Sequence, residues 1–294
     1  MREQAGETAA DLLDDDGRVA VVLAEISTGQ FRRALHAHPD RAVNVGIMEQ
    51  AMVSVAAGFA MEGFLPIVHT ITPFLVERPL EQIKLDFGYQ GLQGTFVSVG
   101  GSYDYTGEGF THHSPGDVQV MLTVPGMEVV APGAPDELDR LLRATYADGR
   151  PTYLRTSTAT NAGSRPVEFG RLDTVRRGQG ATVIAVGPML DRTLAAVEGL
   201  DVTVLYVTTV FPFDADGLVR EAADAPDVIV VTPFMEGTMT PLLADAMSHR
   251  SSRFVSIGVG RDVIRDYGTP EQHERARGLD TAGIRDRITD LLGR

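Results

Sequence analysis

The sequence contains no cysteine. This absence excludes disulfide bonds, a thiolate nucleophile, and zinc or iron–sulfur sites built on cysteine ligands. A basic surplus is also lacking, since the formal net charge is −14 at pH 7, which argues against nucleic-acid and anionic-membrane partners. No apolar run reaches the ~20 residues of a membrane-spanning helix, and the first residues lack the apolar segment of a secretion signal. We therefore expect a cytoplasmic protein.

The 294 residues are 43% hydrophobic and 22% charged, which is typical of a globular protein long enough for about two domains. Short β-branched runs, such as residues 19–25 and 181–189, alternate with helical segments. This alternation predicts an α/β fold with a mostly parallel sheet. Residues 163–180 are polar and punctuated by glycine, so we predict a linker there, between domains at 1–162 and 181–294.

One segment of the first half combines an apolar helix with a carboxylate. Residues 47–61 carry apolar side chains on every face, which predicts a buried helix, yet Glu49 lies among them. A buried carboxylate is costly unless it is paired or protonated. Helical spacing alone leaves two interpretations open: a buried, functional Glu49 or a glutamate on an exposed face.

Residues 43–68, VNVGIMEQAMVSVAAGFAMEGFLPIV, resemble the pyrimidine-binding segment of transketolases and deoxyxylulose-phosphate synthases. The resemblance covers nearly the whole chain and is strongest over residues 40–157. It implies a thiamine-diphosphate pyrimidine-binding fold followed by a smaller α/β transketolase C-terminal domain. It also implies that Glu49 is catalytic: in this family the glutamate hydrogen-bonds the N1′ atom of the cofactor's aminopyrimidine ring, and the resulting proton exchange activates the cofactor.

Further cofactor contacts follow from the same resemblance. Residues 70–84 are similar to a family stretch that places an aromatic ring on the aminopyrimidine, and Phe74 is the match. Ile71 stands where the family has another aromatic residue, and Glu25 matches an acidic position near the thiazolium. From the residues alone, packing in the core is the alternative for Phe74, and an ordinary strand-end carboxylate is the alternative for Glu25. We interpret Arg78 as structural or as part of a subunit contact.

The glycine-rich segment 103–113 resembles the loop that covers the cofactor in the family. The match assigns His112 to the substrate-facing, catalytic histidine, and Glu108 to an aspartate that reads a substrate hydroxyl. An ordinary surface-loop histidine is the alternative for His112. The family's phosphate-binding histidine falls on Gly100, so this ligand is missing and the usual preference for sugar phosphates is in doubt.

Two arginines match anion-binding positions of the family. Arg155, at the end of the predicted strand 151–157, matches an arginine that clamps the substrate phosphate, and Arg2 matches a second phosphate ligand near the N-terminus. A salt-bridged strand-end arginine is the alternative for Arg155.

The G-D-G motif with which the family holds a divalent ion does not occur in the sequence. We therefore expect no metal ligands in this chain, and a partner subunit that supplies the diphosphate-binding half with Mg²⁺ or Ca²⁺, in an A2B2 assembly. The predicted activity is the transfer of a two-carbon ketol unit from a ketose or ketose phosphate to an aldose or another acceptor.

Four other functions remain open. The chain resembles the beta subunit of the decarboxylating component of a 2-oxo-acid dehydrogenase, and a close variant would pass the two-carbon unit to a carrier thiol. A scaffolding subunit without turnover is the non-catalytic alternative. A nucleotide-binding Rossmann protein fits the fold class, but the G-x-G-x-x-G fingerprint is absent.

Overall fold

The computed structural model describes residues 1–293. Within these residues, twelve strands form two sheets, one of seven strands and one of five. In chain order the strands are β1 Val19–Leu23, β2 Ala42–Asn44, β3 Leu65–Ile71, β4 Gly94–Val99, β5 Glu128–Val130, β6 Pro151–Arg155, β7 Asp173–Arg176, β8 Thr182–Val186, β9 Thr203–Val207, β10 Thr209–Phe211, β11 Asp227–Met235 and β12 Arg253–Val259.

The first sheet has the order β10-β5-β6-β4-β3-β1-β2, and the second has the order β12-β11-β8-β9-β7. Every pairing is parallel except those of the edge strands β10 and β7, which run antiparallel to β5 and β9. The predicted α/β class with mostly parallel sheets is therefore confirmed. Helices cover both faces, which explains why the strands read as continuous apolar runs instead of alternating ones.

Strand β1 illustrates how the sheet organises two cores. Val21 and Leu23 pack into the apolar cluster that includes residues of the helix Arg2–Asp15, whereas Val22 points the other way into the cluster that includes residues of the helix Glu49–Met61. The α-helices are α1 Arg2–Asp15, α2 Arg32–Ala37, α3 Glu49–Met61, α4 Thr72–Val76, α5 Leu80–Gln82, α6 Asp117–Met121, α7 Pro135–Thr145, α8 Leu190–Ala196, α9 Ala215–Glu221, α10 Thr240–Ala246, α11 Pro270–Ala276 and α12 Thr281–Leu292.

Two strands lie where the sequence pattern does not suggest them. The predicted linker 163–180 contains β7, which pairs with β9 at the edge of the second sheet. The apolar run 202–214, whose uninterrupted pattern indicates a single strand, is divided into β9 and β10, which belong to different sheets. Because apolar and β-branched residues continue through both strands, the pattern shows no break there. The C-terminal half thus contributes a strand to the N-terminal sheet.

Helix α3 departs from the prediction of a fully buried helix. One face, including Met52 and Val53, packs against β1 and β3. The opposite side is open to solvent: Met61 is 65% exposed, and Ile47 and Met48, just before the helix, are 71% and 58% exposed. The apolar character of segment 47–61 on every face therefore reflects one buried face and one that this chain leaves uncovered.

Candidate functional site

The predicted cofactor residues lie at the carboxyl edge of the first sheet, where ligands bind in open α/β sheets. Glu25 follows β1 and has a positive φ of 65°, a strained conformation for a residue with a side chain. Asn44, at the end of β2, holds it there: its Oδ1 accepts from the Glu25 N–H at 2.9 Å, and its Nδ2 donates to Glu25 Oε2 at 2.9 Å. Glu25 remains exposed to solvent at this edge.

Glu49 is the first residue of α3, and its side chain is only 3% exposed. This observation decides against the alternative of a glutamate on an exposed face. Arg78 donates to Glu49 Oε1 at 2.7 Å, so the carboxylate has a cationic partner, and the helix N-terminus also favours its negative charge. Arg78 itself is 39% exposed, so its side chain lies at the surface of the site and not in the core.

A continuous row of contacts leads from Glu49 to His112. The Arg78 guanidinium carbon lies 4.2 Å from the centre of the Phe74 ring, and the centres of the Phe74 and His112 rings are 5.1 Å apart, edge to face at 72°. Phe74 and His112 are both half-buried. We call Glu49, Phe74, Arg78 and His112 the edge cluster. The structure thus brings together three residues from three separate predicted segments, and adds Arg78 to them.

Loop 103–113 presents its adjacent histidines to different surroundings. His112 joins the edge cluster, whereas His113 is buried and its Nε2 lies 3.3 Å from the Tyr105 carbonyl oxygen. Burial lowers the pKa of His113, and the nearby Tyr105 carbonyl opposes this effect. Glu108 lies exposed at the tip of the loop. Ile71 is buried at the end of β3, just before the helix that carries Phe74.

Arg155 does not fit the predicted role of a phosphate clamp. Its side chain is 1% exposed, and its Nε donates to Asp117 Oδ2 at 2.8 Å, while one terminal nitrogen donates to Ser102 Oγ at 2.7 Å. A Cβ at position 101 would lie 2.5 Å from the guanidinium carbon, so Gly101 provides the room that this side chain occupies. The structure therefore places Arg155 in the buried, salt-bridged arrangement of the alternative interpretation, and not at the open edge of the sheet beside His112.

Arg2 begins a buried relay that the sequence did not reveal. Its Nε donates to Ser27 Oγ at 2.7 Å, and Ser27 Oγ lies 2.7 Å from His69 Nε2. His69 Nδ1 faces the Val97 carbonyl oxygen at 2.8 Å, so Nδ1 carries the proton and Nε2 accepts from Ser27. This relay uses Nε of Arg2. Within residues 1–293, the terminal guanidinium nitrogens of Arg2 make no hydrogen bond or ion pair.

Burial lowers the pKa of His69 to about 4 from an ordinary value of 6.5, against the raising effect of the Val97 carbonyl. As the pH falls, His69 therefore becomes protonated in the unfolded chain before it does in the folded protein. The stability that the neutral, buried imidazole provides above pH 6.5 is lost as the pH falls toward about 4. The shift corresponds to roughly 3 kcal/mol in the free energy of unfolding. Urea denaturation across this pH range should show the loss.

A matched pair of variants isolates the contribution of His69. His69→Gln should flatten the pH dependence of the unfolding free energy between about pH 6.5 and about pH 4. His36→Gln, at an exposed position on α2, should leave that dependence unchanged. An identical slope in the wild-type protein and the His69 variant would contradict the assignment.

Residues 1–293 contain no group of three or more His, Asp or Glu side chains arranged to hold a metal ion. Over the same residues, no helix is both long enough and apolar enough to cross a membrane.

Comparisons with known proteins identify the family to which the chain is similar. Residues 1–161 match the family model described as "Transketolase, pyrimidine binding domain". A Rhodococcoides fascians protein, described as an uncharacterized 33.6 kDa protein in the fasciation locus, is 42% identical, with 98% of this chain and 93% of that protein covered. The 1-deoxy-D-xylulose-5-phosphate synthase of Oleidesulfovibrio alaskensis is 30% identical over 99% of this chain, which spans 48% of the synthase.

Among solved structures, a split-gene transketolase described as an inactive beta4 tetramer matches with a TM-score of 0.86. The two chains are 23% identical, and the match covers 99% of this chain and 97% of the other, so it supports the fold. The family match extends over more than half of the sequence, and the edge cluster lies within it. The chain belongs to the transketolase family and corresponds to its C-terminal half, beginning at the pyrimidine-binding domain.

Proposed function

We propose that this chain is one subunit of a two-chain, thiamine-diphosphate-dependent enzyme of the transketolase type. It would transfer a two-carbon ketol unit from a ketose or ketose phosphate to an aldose or another acceptor. The observation that carries the proposal is the edge cluster: a buried carboxylate, a half-buried aromatic ring and a histidine converge at the carboxyl edge of a parallel sheet. Together they fit the pyrimidine half of the cofactor.

Each residue has a role that its position supports. Glu49 would hold and exchange a proton with N1′ of the aminopyrimidine, after Arg78 has turned away or shifted on its oxygen. Phe74 offers a ring face for stacking, worth ~1 kcal/mol beyond burial. His112, in edge-to-face contact with Phe74, would hydrogen-bond the substrate. Thiamine diphosphate, when bound, supplies the carbon nucleophile.

Three further residues shape the proposed site. Ile71 ends the strand that leads into the Phe74 helix, and would pack against the cofactor ring. Glu25, held by Asn44, would place a negative charge near the thiazolium. Glu108, on the exposed loop tip, would reach a substrate hydroxyl. Arg2 retains free terminal nitrogens for a polar or anionic substrate group.

A partner subunit completes the proposal. This chain spans about half of the synthases that it matches, and its sequence has no G-D-G motif. The split-gene relative, described as an inactive beta4 tetramer, supports a second chain that supplies the diphosphate-binding half and Mg²⁺ or Ca²⁺. We infer an A2B2 assembly in the cytoplasm. The proposed domains are residues 1–162 and 181–294, with residues 163–180 between them.

A 2-oxo-acid donor is the second candidate. Because Arg155 forms a buried ion pair with Asp117, it is not available as a ligand for a sugar phosphate. This loss favours donors without a phosphate group. The beta subunit of a 2-oxo-acid decarboxylating component, or transfer to a carrier thiol, would share Glu49 and the same fold. Donor consumption with and without an aldehyde acceptor separates these reactions.

The test requires the assembled enzyme. The chain is co-expressed with a neighbouring subunit that carries G-D-G and a later asparagine, and thiamine diphosphate binding is measured by calorimetry in the presence of Mg²⁺. We expect binding by the complex but by neither chain alone, and two-carbon transfer from a ketose donor. A purified complex that does not bind thiamine diphosphate would refute the proposal.

A further inference from the structure

The position to which the resemblance assigns a phosphate-binding histidine lies directly against the ring of Tyr105. Gly100 follows β4, where the resemblance leads us to expect a histidine, and its φ is +76°, a conformation that side chains rarely adopt. A Cβ at this position would lie 2.0 Å from Cε2 of Tyr105 and 2.5 Å from its Cδ2. The Tyr105 ring thus occupies the space that the histidine side chain would need. The Tyr105 ring in this position therefore requires a residue without a side chain at position 100.

Tyr105 also faces the proposed substrate region. Its ring centre lies 6.3 Å from that of His112, in an edge-to-face arrangement. Within residues 1–293, its phenol hydroxyl makes no hydrogen bond to protein. Burial raises the pKa of Tyr105, while the charge of Arg2 acts in the opposite direction. The hydroxyl therefore stays protonated at neutral pH and is available as a donor to a substrate oxygen.

Of the two arginines predicted to bind phosphate, Arg155 and Arg2, only Arg2 remains available to a substrate. Arg155 is enclosed with Asp117 and Ser102, so it does not reach the site. Arg2 alone keeps free terminal nitrogens, and Ser27 holds its Nε. A phosphate dianion needs several donors to offset its loss of hydration. One guanidinium beside a bulky phenol ring provides little such compensation, whereas a small hydroxyl-bearing end group suits the phenol.

We propose that Tyr105 is a specificity-determining residue that closes the phosphate end of the site, so that the enzyme acts on unphosphorylated substrates. This inference rests on the proposed function. The ring excludes a terminal phosphate by its volume, and the hydroxyl binds the neutral end of the carbon chain in its place.

The test measures kcat/KM of the assembled complex for two acceptors that differ only in a terminal phosphate, D-glyceraldehyde and D-glyceraldehyde 3-phosphate. The wild-type complex should prefer the unphosphorylated aldehyde. Tyr105→Ala should shift the ratio of the two kcat/KM values toward the phosphorylated aldehyde by roughly tenfold or more, because it opens the blocked volume. If the alanine variant does not fold, the same ratio is measured with Tyr105→Leu.

Tyr105→Phe is the matched control, since it keeps the ring and removes only the hydroxyl. It should retain the exclusion of phosphate and raise the KM for the unphosphorylated aldehyde. A wild-type preference for the phosphorylated aldehyde, or an unchanged ratio in both the alanine and leucine variants, would overturn this inference alone. Absence of transfer with every donor and acceptor would overturn the proposed function as well.

Discussion

Glu49→Gln in the assembled complex is expected to lower kcat by about 10²–10⁴-fold, the usual contribution of a positioned acid–base group. The amide preserves the shape of the side chain at the start of α3 but does not exchange a proton as a carboxyl group does. Arg78, which donates to Glu49 in the chain described here, retains an oxygen acceptor in the variant. The loss should therefore appear in turnover and not in the fold.

The control for this experiment lies on the same helix. Glu62 is the exposed C-cap residue of α3, and Glu62→Gln removes an equal charge at the far end of the helix. It should leave kcat within about twofold of the wild type, because surface substitutions of this kind have small effects. Turnover of the Glu49 variant close to that of the Glu62 variant would contradict the catalytic role. Circular dichroism and melting temperature verify that both variants are folded.

Arg155→Met is expected to lower the free energy of unfolding by about 3–5 kcal/mol. Asp117 accepts both from Arg155 and from the Tyr153 hydroxyl, at 2.8 and 2.7 Å, and neither charged side chain is more than 1% exposed. Removing the arginine leaves a buried carboxylate without its cation. Urea denaturation measures the loss, and the double variant Arg155→Met, Asp117→Leu should recover much of it because no unpaired charge remains.

A surface pair provides the comparison. Arg253 contacts Asp227 on the second sheet, with 46% of the arginine side chain exposed. Arg253→Met should cost about 1 kcal/mol or less, since exposed ion pairs contribute little. Equal losses at positions 155 and 253 would contradict the structural role of the buried pair. Provided that the variant remains folded, the KM of Arg155→Met for substrate should also stay near the wild-type value, because the guanidinium does not reach the site.

The parts of the fold that the sequence predicted are those with local signals. Runs of β-branched residues separated by amphipathic helices indicate parallel sheets whatever their order. Strand β10 has no such signal, because residues 202–214 have the same apolar character throughout. Its partner, β5, lies about 80 positions earlier in the chain, and pairing over that distance depends on tertiary contacts.

In the candidate site, too, the sequence predicts the residues that have local signals and misses those that depend on tertiary contacts. Glu49, Phe74 and His112 each lie in a segment with its own resemblance, and the structure places them in one row of contacts that runs from Glu49 through Arg78 to Phe74 and His112. Arg155 has an equally good local match, but the position of its side chain is set by Asp117, a carboxylate that contacts it only in the folded state. Tyr105 was likewise missed, since its significance lies in the space beside Gly100.

Strand β10 has a consequence for synthesis of the protein on the ribosome. The six other strands of the first sheet are complete at Arg155, yet the edge of the sheet beside β5 stays open until Thr209–Phe211 has emerged. At about 5–20 residues per second, that interval lasts several seconds, during which an unpaired strand edge is available to other nascent chains. The second half of the chain therefore closes this edge of the first sheet, and we expect association through the edge to be confined to the interval before β10 has paired with β5.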